Sequence, residues 1–251
     1  MSPNTAKEYG RWRNLGSVGG GGQAHLCIVE DTTGRLPGRY VLKRLKNLAR
    51  FNLFEREVRI MQSGLPHKNI LRVVDTDMNV ERPYFVAEYC EGDSLAKHPG
   101  DFRADLAAFE VARAIVEALQ NAYIARLSAQ RDVKPPNILF RKEGTPVLGD
   151  CGICHTEGDQ RVTLTDEAMG SKDYIAPEME SGRRERVTSA VDVYALGKVI
   201  YWMLSGGHIF ARESHRAPTR TGPLHGAPAL RRLDVPSVRP GQVRKARLGI
   251  P

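Results

Sequence analysis

The hydrophobic period of this chain changes near residue 90, and that change limits the fold more than any single motif does. Ahead of it, over 14–88, β-type runs dominate: His25-Leu26-Cys27-Ile28-Val29, Tyr40-Val41-Leu42-Lys43 and Tyr84-Phe85-Val86-Ala87. Between the second and third runs, residues 51–62 carry Phe54, Val58 and Met61 at i, i+4 and i+7, one face of a helix. Beyond it, over 94–207, the period is helical. Residues 104–126 place Phe109, Ala112, Ile115, Val116, Leu119 and Tyr123 on one helical stripe, and 189–204 repeat Val191, Ala195, Val199 and Met203 at every fourth position. Strands first and helices afterwards predict an α+β molecule with a small β-rich lobe over 14–90 and a mostly helical one over 91–210. The stretch 211–251 holds six prolines, four glycines and no sustained period, which predicts an irregular tail.

Charge narrows the partners. The formal net charge is +8, but nine basic residues face only two acidic ones over 211–251, so +7 of it lies in the tail. The body therefore gives no charge argument for nucleic acid, which is not an expected partner. The chain opens MSPNTAKEYGRWRN without a basic-then-apolar leader, and its most apolar stretch, 187–204, is broken by Asp192 and Lys198. A cytoplasmic protein with no membrane insertion is expected. Cys27, Cys90, Cys151 and Cys154 read as reduced thiols, because a core of this size needs no disulfide staples. Cys151-Gly152-Ile153-Cys154 lacks the second ligand pair that a zinc site requires.

Four places carry chemistry. The run Val18-Gly19-Gly20-Gly21-Gly22-Gln23-Ala24-His25-Leu26 leads into a strand, so its backbone N–H groups can approach phosphates unobstructed, although a glycine run taken alone is more often a flexible turn. Lys43 and Glu57, taken singly, are a strand lysine and an exposed helix carboxylate; as a pair they give a charged lysine of fixed position. Gln130-Arg131-Asp132-Val133-Lys134-Pro135-Pro136-Asn137 sets a carboxylate, an amine and an amide immediately before the apolar run Ile138-Leu139-Phe140. Asp132 can take a hydroxyl proton, Lys134 can neutralise developing charge, and Asn137 can offer an amide oxygen to Mg²⁺. Asp150, in Leu148-Gly149-Asp150-Cys151-Gly152, offers a second hard oxygen ligand after another apolar strand.

In this order and spacing the pieces resemble eukaryotic-type protein serine/threonine kinases over 14–210. They are joined by His67-Lys68-Asn69-Ile70, Val86-Ala87-Glu88-Tyr89-Cys90, Gly170-Ser171-Lys172-Asp173-Tyr174-Ile175-Ala176-Pro177-Glu178 and Asp192-Val193-Tyr194-Ala195-Leu196-Gly197. The resemblance implies a two-lobed fold, ATP and Mg²⁺ as cofactors, and a protein substrate with a serine or threonine hydroxyl. It implies that Val18, Gly19, Gly21, Ala24 and Leu26 cover the nucleotide and that Lys43, paired to Glu57, holds its phosphates. The backbone of Glu88 and Cys90 would then meet adenine. Asp132 would be the catalytic base, Lys134 the γ-phosphate contact, and Asn137 and Asp150 the metal ligands. Arg131 would pair with a phosphate on Thr163 or Thr165.

Several places depart from the family pattern. Gln130 stands where the family has a supporting histidine, Ala24 at the third glycine, and Cys151 where a phenylalanine links the lobes. Ala87 is unusually small for the residue beside the adenine pocket. After Phe210, where the family continues with further helices of the larger lobe, this chain has its Pro/Arg-rich tail. The tail is expected to leave a hydrophobic face of the Asp192 helix uncovered and Glu178 as a buried carboxylate without its arginine. A module that binds nucleotide without turnover is the alternative to a kinase.

Overall fold

The computed structural model describes residues 8–19, 24–63, 66–103, 105–124, 127–149, 155–156, 172–180 and 188–209. The β-branched and aromatic runs of the first part form β1 (Glu8–Tyr9), β2 (Trp12–Gly19), β3 (Ala24–Asp31), β4 (Tyr40–Leu45), β5 (Val73–Asp77) and β6 (Tyr84–Glu88), with α1 (Phe51–Ser63) between β4 and β5. All six strands pair antiparallel in one sheet, in the order β1-β2-β3-β4-β6-β5. Among the described residues the sheet begins at Glu8, ahead of residue 14.

Strand alternation sorts the side chains of this sheet onto two faces. Trp12, Cys27, Val29, Tyr40, Leu42, Tyr84 and Val86 close one of them. Leu45, Phe85 and Ala87 lie on the other, where α1 packs Phe54 and Val58 against them with Met61 partly buried, as its i, i+4, i+7 spacing predicts.

The second part is mostly helical. It comprises α2 (Asp105–Ile124), β7 (Leu127–Ala129), β8 (Ile138–Phe140), β9 (Pro146–Leu148), β10 (His155–Thr156), α3 (Pro177–Glu180) and α4 (Ala190–Ser205). β8 and β9 form a hairpin with Ile138 opposite Leu148. Its inner residues Ile138, Phe140 and Leu148 join Ile115 and Leu119 of α2 and Val199 and Met203 of α4 in one core. Each fully buried aliphatic side chain there contributes about 1.5–3 kcal/mol. All four residues of the expected α4 row, Val191, Ala195, Val199 and Met203, are buried. The helix stops at Gly206, which adopts φ 76° and returns its N–H to the carbonyl of Met203.

Two expectations need correction. On α2, Ala112, Ile115 and Leu119 are buried, but Phe109 is 60% and Val116 39% exposed. The buried row is Ala108, Val111, Ala112, Ile115, Ala118 and Leu119, because alanines on that side let the helix approach the hairpin and α4 closely. Glu178 is exposed, so the burial penalty expected for its carboxylate does not arise. Val193 of α4 is 68% exposed.

Main-chain bonds stitch the two parts together around the β8–β9 hairpin. Leu148 N donates to Asn69 O at 2.8 Å and Leu71 N to Leu148 O at 3.0 Å, while Gly92 N donates to Phe140 O at 2.9 Å and Phe140 N to Asp93 O at 2.8 Å. The chain after β6 runs so close to this hairpin that a Cβ on Gly92 would lie 2.8 Å from Phe140 Cβ, so only glycine fits. No helix among the described residues is long and apolar enough to cross a membrane. The tail, 211–251, lies outside the described residues.

Candidate active site

One wall of the site is set by the sheet. In β4, Lys43 lies opposite Leu26 of β3 and Phe85 of β6, which fixes its main chain on both sides. Packing of Phe54 and Val58 turns α1 so that Glu57 faces Lys43, and Lys43 Nζ meets Glu57 Oε1 at 2.6 Å. The Glu57 side chain is only 4% exposed, and the Lys43 ammonium also lies 5.6 Å from the centre of the Phe85 ring. A buried carboxylate requires such a partner, and breaking a buried pair on one side costs about 3–5 kcal/mol.

The opposite wall is the loop that enters β8. Pro135 and Pro136 start a short 3₁₀ turn, Pro135–Asn137, because their fixed φ suits its first positions. The turn brings Asn137 back to Asp132: Asn137 Nδ2 donates to Asp132 Oδ2 at 2.7 Å and to Asp132 O at 3.0 Å. Lys134 Nζ approaches Asp132 Oδ1 at 2.8 Å. From below, Gln130 is 1% exposed, and its Oε1 accepts the Asp132 amide at 2.8 Å. The glutamine therefore does by hydrogen bonding what the family resemblance assigns to a histidine in that place.

A residue without an assigned role in the sequence holds this loop in turn. Asp192, fully buried on α4, accepts Gln130 N through Oδ2 and Arg131 N through Oδ1, both at 2.7 Å, and also the Tyr123 hydroxyl through Oδ2 at 2.7 Å. Burial pushes its carboxyl above the usual range, against the pull of these three donors. Arg131 has φ 69°, a left-handed conformation that a non-glycine residue holds only when its surroundings enforce it, and the bond from its amide to Asp192 does so.

Between the walls is a cavity of about 400 Å³ lined by Val18, Leu26, Lys43, Glu57, Ala87, Glu88, Cys90 and Asn137 among others. Ala24, at the start of β3, is not among its lining residues, while Asp132 and Lys134 stand behind Asn137. Leu139 and Gly149 also line it, and neither was picked out by sequence. Leu139 could have been found from its place between the two core residues Ile138 and Phe140, since alternation turns it the other way. Gly21, Asp150, Cys151, Cys154, Thr163, Thr165 and Ser171 lie outside the described residues.

Glu88 and Cys90, both lining the cavity, carry shifted ionisation. Burial alone would raise the Glu88 carboxyl, but hydrogen bonds from Arg141 and Arg72 hold it below its ordinary value of 4.5. A depressed carboxylate contributes stability that is present above its unfolded pKa and lost as pH falls through the lower folded one. Acid titration of thermal stability should thus lose a component below pH 4.5 that Glu88→Gln lacks. Burial, then the Glu88 charge, pushes the Cys90 thiol up to about 12. In the folded chain iodoacetamide at pH 8 should leave Cys90 unmodified, while the urea-unfolded chain is labelled there.

The cation implied by the family fits the donor chemistry that is described. Asn137 Nδ2 is committed twice to Asp132, so Oδ1 is the atom this amide can present to a hard cation. Asn137 O accepts Gly149 N at 2.9 Å, so the chain leading to Asp150 starts beside it.

Residues 9–226 match the family model described as protein kinase domain, which extends past residue 210. The serine/threonine-protein kinase PrkC of Bacillus subtilis is 32% identical over 217 residues, covering 82% of this chain and 32% of PrkC. The probable serine/threonine-protein kinase PknB of Lactococcus lactis is 32% identical over 213 residues, covering 81% of this chain and 33% of its own length. Human serine/threonine-protein kinase/endoribonuclease IRE2 is 31% identical over 213 residues, covering 80% of this chain and 22% of IRE2. The chain spans about a third or less of the length of these relatives.

Proposed function

This chain belongs to the protein kinase family, and from that premise we propose that it transfers the γ-phosphoryl group of Mg·ATP to a serine or threonine hydroxyl of a protein. The observation that carries the proposal is the facing of two built pairs across one cavity, Lys43 with Glu57 on the sheet side and Asp132 with Asn137 on the loop side. Bound Mg·ATP supplies the electrophilic phosphorus and the leaving diphosphate.

Everything else falls to the chain's own residues. Val18, Gly19, Gly21, Ala24 and Leu26 cover the nucleotide, and the main chain of Glu88 and Cys90 meets its base. Lys43, kept charged and in place by Glu57, holds phosphate oxygens, while Asn137 and Asp150 hold the cation. Asp132, aimed by Asn137 and supported by Gln130, accepts the proton of the attacking hydroxyl. Lys134, 2.8 Å from Asp132, offsets charge that builds on the phosphoryl oxygens. The position of Lys134 two residues after Asp132, and the serine/threonine kinases among the relatives, support the choice of hydroxyl.

The test is incubation of the chain with γ-labelled ATP, magnesium and a generic basic protein, followed by phosphoamino-acid analysis. Phosphoserine or phosphothreonine is expected. Phosphotyrosine alone would overturn the specificity, and no product from a folded, nucleotide-binding chain would leave the alternative, a binding module without turnover.

A further inference from the structure

Arg141 takes no part in the functions assigned above, yet all three of its guanidinium nitrogens are hydrogen-bonded at the edge of the cavity. Its Nε donates to Glu88 Oε2 and its Nη2 to Glu88 Oε1, each at 2.8 Å, a two-point fork between planar groups. Its third nitrogen, Nη1, donates to the carbonyl of Lys68. Glu88 Oε1 also accepts the Arg72 amide at 2.9 Å, and Glu88 N donates to Arg72 O at 3.0 Å. The fork is mostly buried, with side-chain exposures of 22% for Arg141 and 14% for Glu88.

The main chain at both ends of this fork is fixed. Arg141 begins the turn of the β8–β9 hairpin, closed by Arg141 N to Thr145 O at 3.0 Å and Gly144 N to Arg141 O at 2.8 Å. Glu88 ends β6, where alternation carries its side chain to the face opposite Phe85 and Ala87, so what it lends the cavity is its main chain. Three segments that differ in sequence by tens of residues, 68–72, 88–92 and 139–148, thus meet at one guanidinium.

We propose that Arg141 is a positioning residue for base recognition: its fork on Glu88 fixes the main chain of Glu88 to Cys90 at the orientation that distinguishes an adenine edge from other purine edges. The proposal rests on the reading of this cavity as a nucleotide site with the base against Glu88 and Cys90. A main-chain carbonyl and amide can tell a 6-amino purine from a 6-oxo purine only when they are held still, because inosine inverts both the donor and the acceptor. Lysine cannot replace the arginine, since one ammonium on a flexible stem does not span both carboxylate oxygens and the Lys68 carbonyl.

The experiment is equilibrium binding by calorimetry of ADP, IDP and pyrophosphate, with magnesium, to the full chain and to its Arg141→Ala and Arg141→Lys variants. The wild-type chain is expected to prefer ADP over IDP, and both variants to lose about tenfold of that preference while pyrophosphate affinity changes less than about twofold. Arg141→Lys keeps the charge and the aliphatic stem, so it reports on the fork even if the alanine variant does not fold. An unchanged ADP-to-IDP ratio in Arg141→Lys overturns the positioning role alone. Absence of ADP binding by the wild-type chain overturns the nucleotide reading and this proposal with it.

Discussion

Asp132→Asn is expected to lower phosphoryl transfer by roughly 10²–10⁴-fold, the range over which a positioned general base acts. Asparagine preserves the length of the side chain and can still accept from Asn137 Nδ2, which donates to Asp132 Oδ2 at 2.7 Å. It cannot take a proton from the attacking hydroxyl, and it gives Lys134 Nζ, now 2.8 Å from a carboxylate, a neutral partner. The Asp132 amide still donates to Gln130 Oε1, so the loop should keep its course. Nucleotide affinity should therefore remain within about twofold, because the Lys43–Glu57 wall is untouched and only an interaction of the transition state is removed. Steady-state kinetics beside nucleotide titration would separate the two quantities. A matching fall in affinity would mean that Asp132 acts mainly in shaping the cavity.

Asp192→Ala should have the largest effect on stability, a loss of about 3–5 kcal/mol read from urea unfolding. The change leaves the amides of Gln130 and Arg131 and the hydroxyl of Tyr123 without the acceptor they share at 2.7 Å, in a place where Asp192 itself is fully buried. Arg131 would also be free to leave its left-handed φ of 69°, which displaces Asp132 next to it. Activity should fall with stability for that reason, even though Asp192 touches no substrate. Tyr123→Phe removes only one of the three donors and should cost about 1 kcal/mol. Equal losses from the two variants would show that the loop amides find other acceptors, and that α4 does not hold the loop.

The sequence was most informative where a period or a local spacing carries the signal. Alternation in β3, β4 and β6 and the i, i+4 rows of α1 and α4 place these elements, and their buried residues follow. The difference on α2 has the same physical root: hydrophobicity favours the large residues Phe109 and Val116, whereas the packing side combines alanines with Val111, Ile115 and Leu119. Close approach of a helix selects small side chains, and a hydrophobicity pattern weights them least. The exposure of Glu178 depends on what surrounds it in three dimensions, which a one-dimensional pattern does not contain.

The candidate site divides in the same way. Asp132, Lys134 and Asn137 are legible because a single turn with two prolines brings them together within a few residues. Lys43 and Glu57 needed one further step, the facing of a strand and the next helix. The supports were not legible. Gln130 meets Asp192 across 62 residues and Glu88 meets Arg141 across 53, and the acceptors or donors involved are in part main-chain atoms that every residue type possesses. Such contacts leave no spacing signature, so beside the family pattern Gln130 reads only as a departure at a supporting position. In the fold it is a buried side chain whose acceptor is used.

The most direct measurement of the central claim is single-turnover transfer from γ-labelled ATP with magnesium, comparing the wild-type chain with Asp132→Asn at equal nucleotide occupancy. Transfer of label to protein serine or threonine by the wild type, at a rate roughly 10²–10⁴-fold above that of the variant, is the result that follows from Asp132 as base in a cavity held by Lys43 and Glu57. Equal rates at equal occupancy would contradict it, leaving a protein kinase fold that binds nucleotide without using this loop for chemistry.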